Sequence, residues 1–320
     1  MSFGFDSTTD DVIAGIDLTG KRAIVTGSSG GLGEETVRAL ASKGAAVTIT
    51  ARDLPKGEAV AARIRESTGN ENVDVRKLEL ADLASVREFA EGWRAEHDKL
   101  DLLINNAGMM ACPLTRTEDG WEAQFATNHV GHYLLTCLLA PALKAAAPSR
   151  IVNLSSAGHH FGPVDFDDPF FENREYDKWV AYGQSKSANI LFSVGLELRL
   201  GAAGVHALAV HPGGIMTELG RHLSDEDIAA MVERAGVDDP EAFQAGFKSI
   251  PQGAATSVWA ATSSDLEGRG GLYLEDCHVA GPGDGGLRSG GYAQWALDPE
   301  GAEKLWALSE RLVGEQFPLN

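Results

Sequence analysis

The chain has 320 residues, an apolar fraction of 43% and a formal net charge of −19. That length allows one large domain or two small ones with a sizeable core, and the acidic balance argues against nucleic acid or an anionic membrane surface as the main partner. Cys112, Cys137 and Cys277 are too few and too scattered for a disulfide framework or a metal cluster. The opening Met-Ser-Phe-Gly-Phe-Asp has neither the basic nor the apolar region of a signal peptide. No apolar run approaches ~18 residues, so no membrane anchor is expected and the reading is cytoplasmic.

Short β-branched runs alternate with helical patterns. Strands are expected at Ala23–Thr26, Ala46–Thr50, Val73–Leu78, Leu100–Asn105, Arg150–Leu154 and Val205–Val210, with a last one at Gly271–Leu274. Helices are expected near Glu34–Lys43, Lys56–Glu66, Leu83–His97, Trp121–Ala146 and Trp179–Leu200. This alternation predicts a single α/β domain over residues 1–320, a doubly wound Rossmann sheet of about seven parallel strands with helices on both faces. Two segments fall outside it: 158–176, rich in aromatics, and 214–250, with two short helical stretches. Long segments at the carboxyl ends of parallel strands form substrate walls or lids. The aromatics Phe161, Phe166, Phe170, Phe171 and Tyr176 fit satellite core and substrate wall equally well.

The first strand runs into Gly27-Ser28-Ser29-Gly30-Gly31-Leu32-Gly33 and then a helix. Glycines allow a tight turn and close approach of a pyrophosphate to the helix N-terminus. The second strand ends Ala51-Arg52-Asp53, about 20 residues on, where a ribose-reading residue is expected. Asp53, ahead of Leu54-Pro55, has the profile of an N-cap. Arg52 is then free to grip a 2′-phosphate, which favours NADP over NAD.

Tyr182 and Lys186 stand at i and i+4 of one helix. An ammonium beside a phenol stabilises the phenolate and brings the tyrosine toward neutral pH, as a general acid/base needs. Ser155-Ser156 end the fifth strand, where a hydroxyl could polarise a substrate oxygen. His129 with His132, and His159 with His160, suggest a metal, but no third ligand has convincing spacing. They read as packing or backbone-bonded histidines, with no metal site.

Together these motifs resemble a classical short-chain dehydrogenase/reductase over nearly the whole chain. The carriers are Thr26-Gly27-x-x-x-Gly31-x-Gly33, Asn105-Asn106-Ala107-Gly108, the set Asn128, Ser156, Tyr182 and Lys186, and Pro212-Gly213-x-Ile215-x-Thr217. Within that family, Asn128-His-Val-Gly-His-Tyr133, Tyr182 through Phe192 and Gln252-Gly-Ala-Ala-Thr256 are similar to retinol dehydrogenases. Leu305 to Leu312 is similar to the dehydrogenase domain of WW-domain-containing oxidoreductase.

The resemblance implies an NADP-preferring enzyme, with NAD as the other candidate, that moves a hydride to or from a hydrophobic alcohol, aldehyde or ketone. It implies Tyr182 as acid/base and Lys186 as the group that lowers its pKa while bonding the nicotinamide ribose. Ser156 orients the substrate oxygen and Asn128 holds a water of the proton relay. Gly27, Ser29, Gly31, Leu32, Gly33, Arg52, Asp82, Leu83, Asn106, Ala107, Gly108, Pro212, Gly213, Ile215 and Thr217 line the cofactor, with Asp82 at the adenine. The glycine turn has Ser28 and Ser29 where some NADP-linked members carry a basic residue. The alternatives are a non-catalytic NAD(P)-binding scaffold, disfavoured by the intact Ser-Tyr-Lys set, and a sugar-nucleotide epimerase, whose Gly-x-x-Gly-x-x-Gly turn is not matched. Substrate, direction, stereochemistry and oligomeric state stay open, a homo-oligomer being compatible.

Overall fold

The computed structural model describes residues 3–221, 223–234, 246–283 and 290–319. Seven strands run parallel: β1 (Arg22–Val25), β2 (Ala46–Ala51), β3 (Val73–Lys77), β4 (Leu102–Asn105), β5 (Ser149–Leu154), β6 (Val205–His211) and β7 (Leu272–Glu275). An eighth, β8 (His278–Val279), pairs antiparallel with β7, and the order is β3-β2-β1-β4-β5-β6-β7-β8. The sheet thus has one strand more than expected. Two residues are too short for a periodic signal, and the hairpin turns on Asp276 (φ 45°) and Cys277 (φ 56°), the positive-φ pair a tight two-residue turn requires.

The helices are α1 (Thr9–Val12), α2 (Gly31–Ala41), α3 (Leu54–Thr68), α4 (Leu83–Glu96), α5 (Ala123–Phe125), α6 (Gly131–Ala145), α7 (Lys178–Leu200), α8 (Asp225–Arg234), α9 (Ile250–Thr262) and α10 (Pro299–Val313). Alternate side chains of one strand feed opposite faces. Ile24 joins a core with Trp93, Tyr133, Phe192 and Trp306 from α4, α6, α7 and α10. Its neighbour Val25 joins a second core with Leu40, Ile64 and Trp259 from α2, α3 and α9. A strand buried on both faces reads as an unbroken apolar run, which is why these strands are visible in the sequence.

Two expected features differ. The helix expected over Trp121–Ala146 is three pieces: α5, a π-helical turn Ala126–Val130, and α6. Of the two helical stretches expected within 214–250, one is α8, and residues 235–245 lie outside the described ones. No helix among the described residues is long and apolar enough to cross a membrane.

The order reverses between β1 and β4, so the turns after these strands diverge and leave a crevice at their carboxyl ends. The glycine turn, the loop after β4, Ser156 and the segment after β6 fall on that edge.

Candidate active site

The glycine turn joins β1 to α2. Gly27 and Gly31 have φ of 61° and 58°, a region L side chains rarely adopt. A Cβ on Gly27 would lie 2.7 Å from that of Ala107, and one on Gly33 would lie 2.6 Å from Asn106 Nδ2, so neither position has room for a side chain. Gly30, the N-cap of α2, supplies no side-chain cap, and a Cβ on Gly31 would meet only Thr217, at 3.8 Å. With no side chain capping it, the N-terminus of α2 leaves its first-turn amides available to an anion, and Thr217 is the neighbour nearest to Gly31. Ser28 is spent on structure: its Oγ donates to Val25 O at 2.7 Å and accepts from Thr50 N at 3.2 Å.

Past β2, Asp53 caps α3 by accepting from Lys56 N at 3.1 Å, as its sequence context suggests. Arg52 stands free of that helix with its side chain 67% exposed, 3.7 Å from Glu79 Oε2. Asp82 caps α4, its Oδ1 accepting from Ala84 N and Ser85 N at 2.9 and 3.3 Å.

Asp177 caps the start of α7, the helix that carries Tyr182 and Lys186 into the protein interior. The phenol hydrogen bonds Ser156. Ser156 also begins a 3-10 turn, Ala157–Phe161, by accepting from Gly158 N at 3.0 Å, so its capping and site roles coexist. Ser155 turns away, its Oγ donating to Lys186 O at 2.8 Å. The turn after Ser156 lies flat on α7: a Cβ on Gly158 would be 2.7 Å from Tyr182 Cε1. His211 Nδ1, at the end of β6, accepts from Ala157 N at 3.1 Å and steadies the same turn.

Lys186 Nζ donates to Leu154 O at 3.0 Å and lies 5.6 Å from the Tyr182 ring centre. The expected drop in the tyrosine's pKa is not what this arrangement gives. Burial pushes Tyr182 up to about 12, opposed by the Ser156 hydrogen bond, and burial brings Lys186 down to about 8. Desolvation is the main cause for both groups and drives each toward its neutral form.

Asn128 lies on the π-helical turn. Its Oδ1 accepts from Met109 N at 2.7 Å, and its Nδ2 donates to Met109 O and Ser185 Oγ, both at 2.9 Å. The side chain thus ties the loop after β4 to the α7 turn between Tyr182 and Lys186. A Cβ on Gly108 would sit 3.2 Å from Asn128 Oδ1 and 3.5 Å from Lys186 Nζ. Asn128, Ser156, Tyr182, Lys186 and the loop Asn106–Gly108 are therefore one cluster. Beyond β6, Gly213 has φ 98° and packs on the stem of Lys248, while Ile215 and Leu32 both reach Gly253 of α9.

Each histidine of the tempting pairs is used locally. His129 Nε2 meets Ser309 Oγ at 2.8 Å, His159 Nδ1 meets Ser156 O at 2.6 Å and His160 Nε2 meets Gly291 O at 3.2 Å. Among the described residues no group of three His, Cys, Asp or Glu could hold a metal. Phe170, stacked on Trp121 at 5.8 Å, belongs to the same core as Tyr133 and Phe192, and Phe171 is buried under Arg174. Phe161, edge-on to Trp179 at 5.6 Å, is only half-buried.

Sequence reasoning missed the polar framework. Buried Glu122 accepts from the amides of Gln124 and Phe125 at 3.0 and 2.7 Å, and Tyr176 donates to Cys112 O at 2.9 Å. His132 bridges Thr26 and Asn128 at 2.8 and 3.0 Å. The i, i+4 spacing of Asn128 and His132 is the one signal that pointed to it.

The sequence pattern of the short chain dehydrogenase family matches residues 21–228. A probable oxidoreductase of Streptomyces lividans is 46% identical over 91% of this chain and 97% of its own. Retinol dehydrogenase 12 of Mus musculus is 43% identical over 94% of this chain and 89% of its own. A crystal structure of an uncharacterized protein from Mycobacterium Paratuberculosis superposes with a TM-score of 0.74 at 36% identity, covering 98% of this chain and 99% of that one. With the family pattern matched over residues 21–228 and relatives of 43–46% identity covering more than nine-tenths of this chain, the chain belongs to the short chain dehydrogenase family of oxidoreductases.

Proposed function

We propose that the protein is an NADP-preferring alcohol dehydrogenase or carbonyl reductase acting on hydrophobic substrates, with Tyr182 as the proton donor and acceptor. The observation that carries the reading is the Tyr182 hydroxyl hydrogen-bonded to Ser156, with the Lys186 ammonium one helical turn on. The cradle at the α2 N-terminus fits a pyrophosphate: Gly27 and Gly33 leave no room for side chains, and no side chain crowds Gly30 or Gly31. Arg52 would take a 2′-phosphate, Asp82 and Leu83 the adenine, Lys186 the nicotinamide ribose, and Pro212, Gly213, Ile215 and Thr217 the nicotinamide side. Ser29, Gly31, Leu32 and Gly33 complete the turn around the phosphates, and Asn106, Ala107 and Gly108 line the groove. The cofactor, when bound, supplies or takes the hydride.

Ser156 orients the substrate oxygen with its hydroxyl. Tyr182 gives that oxygen a proton during reduction, and the buried, protonated phenol is the form that step needs. Lys186 steadies the phenolate left behind. Asn128 positions the relay that returns the proton. Leu114, Met216 and Ile228 are exposed apolar side chains on the segments that follow β4 and β6, which supports a hydrophobic substrate. Three free, buried cysteines accord with a reducing, cytoplasmic setting.

The test is a panel of hydrophobic ketones, aldehydes and alcohols, followed by nicotinamide absorbance with each cofactor. Turnover with NADPH above NADH supports the reading. Cofactor binding without turnover on any member would favour a scaffold.

A further inference from the structure

Thr26, Asn128 and His132 come from two elements on either side of the loop Asn105–Met109, and a single assignment of protons satisfies all their contacts. Thr26 Oγ accepts from Asn106 N at 2.9 Å and Ala107 N at 3.0 Å, which occupies both lone pairs. Its own proton can go to His132 Nε2 at 2.8 Å or to Ile104 O at 3.5 Å, and the shorter contact wins. His132 Nδ1 lies 3.0 Å from Asn128 O. A carbonyl oxygen can only accept, so Nδ1 carries the ring proton and Nε2 is free to accept from Thr26. The ring is 1% exposed, and burial holds it neutral with a pKa of about 4.

The helix around these residues is irregular: it runs as a π-helical turn over Ala126–Val130, closed by Gly131 N donating to Ala126 O, and His132 lies just past it with Nδ1 against the Asn128 carbonyl four residues back. The two residues then grip one loop at both ends. Asn128 holds Met109 through N and O, and His132, through Thr26, holds Asn106 and Ala107. Asn106 also donates to Thr26 O at 2.7 Å, so β1 and the loop are closed on each other directly beneath the glycine turn.

We propose that His132 is a positioning residue for cofactor binding: it locks the Thr26 hydroxyl toward the loop amides and so fixes the loop Asn106–Gly108 that would line the nicotinamide cofactor. The proposal rests on the functional reading above for the identity of the ligand, but the clamp itself exists without it. Buried networks of this kind act through their fully satisfied geometry, so loss of one member loosens the rest.

His132→Phe keeps the ring and removes both contacts. His132→Gln carries an acceptor where Nε2 stood and keeps the Thr26 contact. His132→Asn supplies a donor where Nδ1 stood and keeps only the Asn128 contact. Two readouts are needed: NADPH dissociation constants by fluorescence titration, and hydrogen exchange of the Asn106 and Ala107 amides without cofactor.

His132→Phe and His132→Asn should each weaken NADPH about tenfold and speed exchange of those amides by a similar factor, the scale of one buried hydrogen bond. His132→Gln should stay within about twofold of the unaltered protein in both. Should His132→Phe fail to fold, the Gln and Asn pair carries the comparison. Equal behaviour of Gln and Asn, or unchanged exchange at Asn106 and Ala107 in His132→Phe, would overturn the proposal. If the unaltered protein binds no nicotinamide cofactor, the functional reading fails while the exchange arm still decides the clamp.

Discussion

The two halves of the sheet's carboxyl edge are built on different principles. On the cofactor side, from the glycine turn to the loop after β4, contacts run through backbone amides, small residues and buried hydroxyls. Gly27 sits against Ala107, Thr26 holds two amides and Asn128 reads both polar groups of Met109. On the proposed substrate side, aromatic stacks and ion pairs join a few buried polar contacts such as those of Glu122 and Tyr176. Trp121 lies on Phe170, Arg174 over Phe171, and Lys178 Nζ reaches Asp227 Oδ1 at 2.6 Å with the lysine 31% exposed. The first kind of construction tolerates little change because single side chains such as Thr26 and Asn128 each satisfy several fixed partners at once. The second can be re-cut, since packing of roughly the right volume suffices. A scaffold that keeps its cofactor while exchanging its substrate would be divided in this way.

The largest effect is expected where the halves meet. Tyr182→Phe should cut turnover by about 10²–10⁴-fold with NADPH affinity nearly unchanged, whereas Lys186→Met should harm both. Steady-state kinetics beside fluorescence titration separate the two, and a Tyr182→Phe enzyme that keeps most of its activity would falsify the acid/base assignment.

Acid should weaken the buried polar framework next. Burial lowers His132 and His211 to about 4 and His129 and His159 to about 3, each from 6.5. Their unfolded forms take up protons first, so this stability is complete above pH 6.5 and drains away as pH falls toward 4. Buried Glu122, pushed up from 4.5, acts in the opposite sense, but it is one group against four. Urea melts between pH 7 and 4.5 should show the decline, and a flat profile would sink the account.

A smaller effect is expected at Arg52, which is exposed and shared with Glu79. Arg52→Ala should weaken NADPH about tenfold and NADH hardly at all, because a solvated charge pair contributes less than a buried one. Equal losses for both cofactors would remove Arg52 from the 2′-phosphate site. Smallest is the ion pair between α7 and α8. Lys178→Met should raise KM for a bulky substrate about threefold and leave NADPH affinity alone, given the modest strength of half-exposed pairs. A shift in cofactor affinity instead would erase the division between the halves.

Much of this arrangement was legible in the sequence because it depends on local chemistry. Strands buried on both faces advertise themselves as apolar runs, as Leu102–Ile104 does. Gly27, Gly31 and Gly33 mark a turn that no residue with a side chain can make, and Tyr182 and Lys186 share a helical face by spacing alone. Asp53 showed its cap through the proline behind it. Helices α9 and α10, to which no expectation was attached, carried comparable signals in Ser249 with Gln252 and in Asp298 with Pro299.

Tertiary structure alone decided three things. It broke the helix near Asn128 with a π turn, where Asn128 and His132 meet the loop after β4 and Thr26, partners far away along the chain. It spent Ser155 on the Lys186 carbonyl of α7, a partner nothing along the chain announces, and so left to the phenol the Ser156 that the family resemblance names. And it raised the tyrosine and lowered the lysine together, because burial is a property of everything packed around a residue, whereas spacing along a helix reports only the neighbours a residue brings with it.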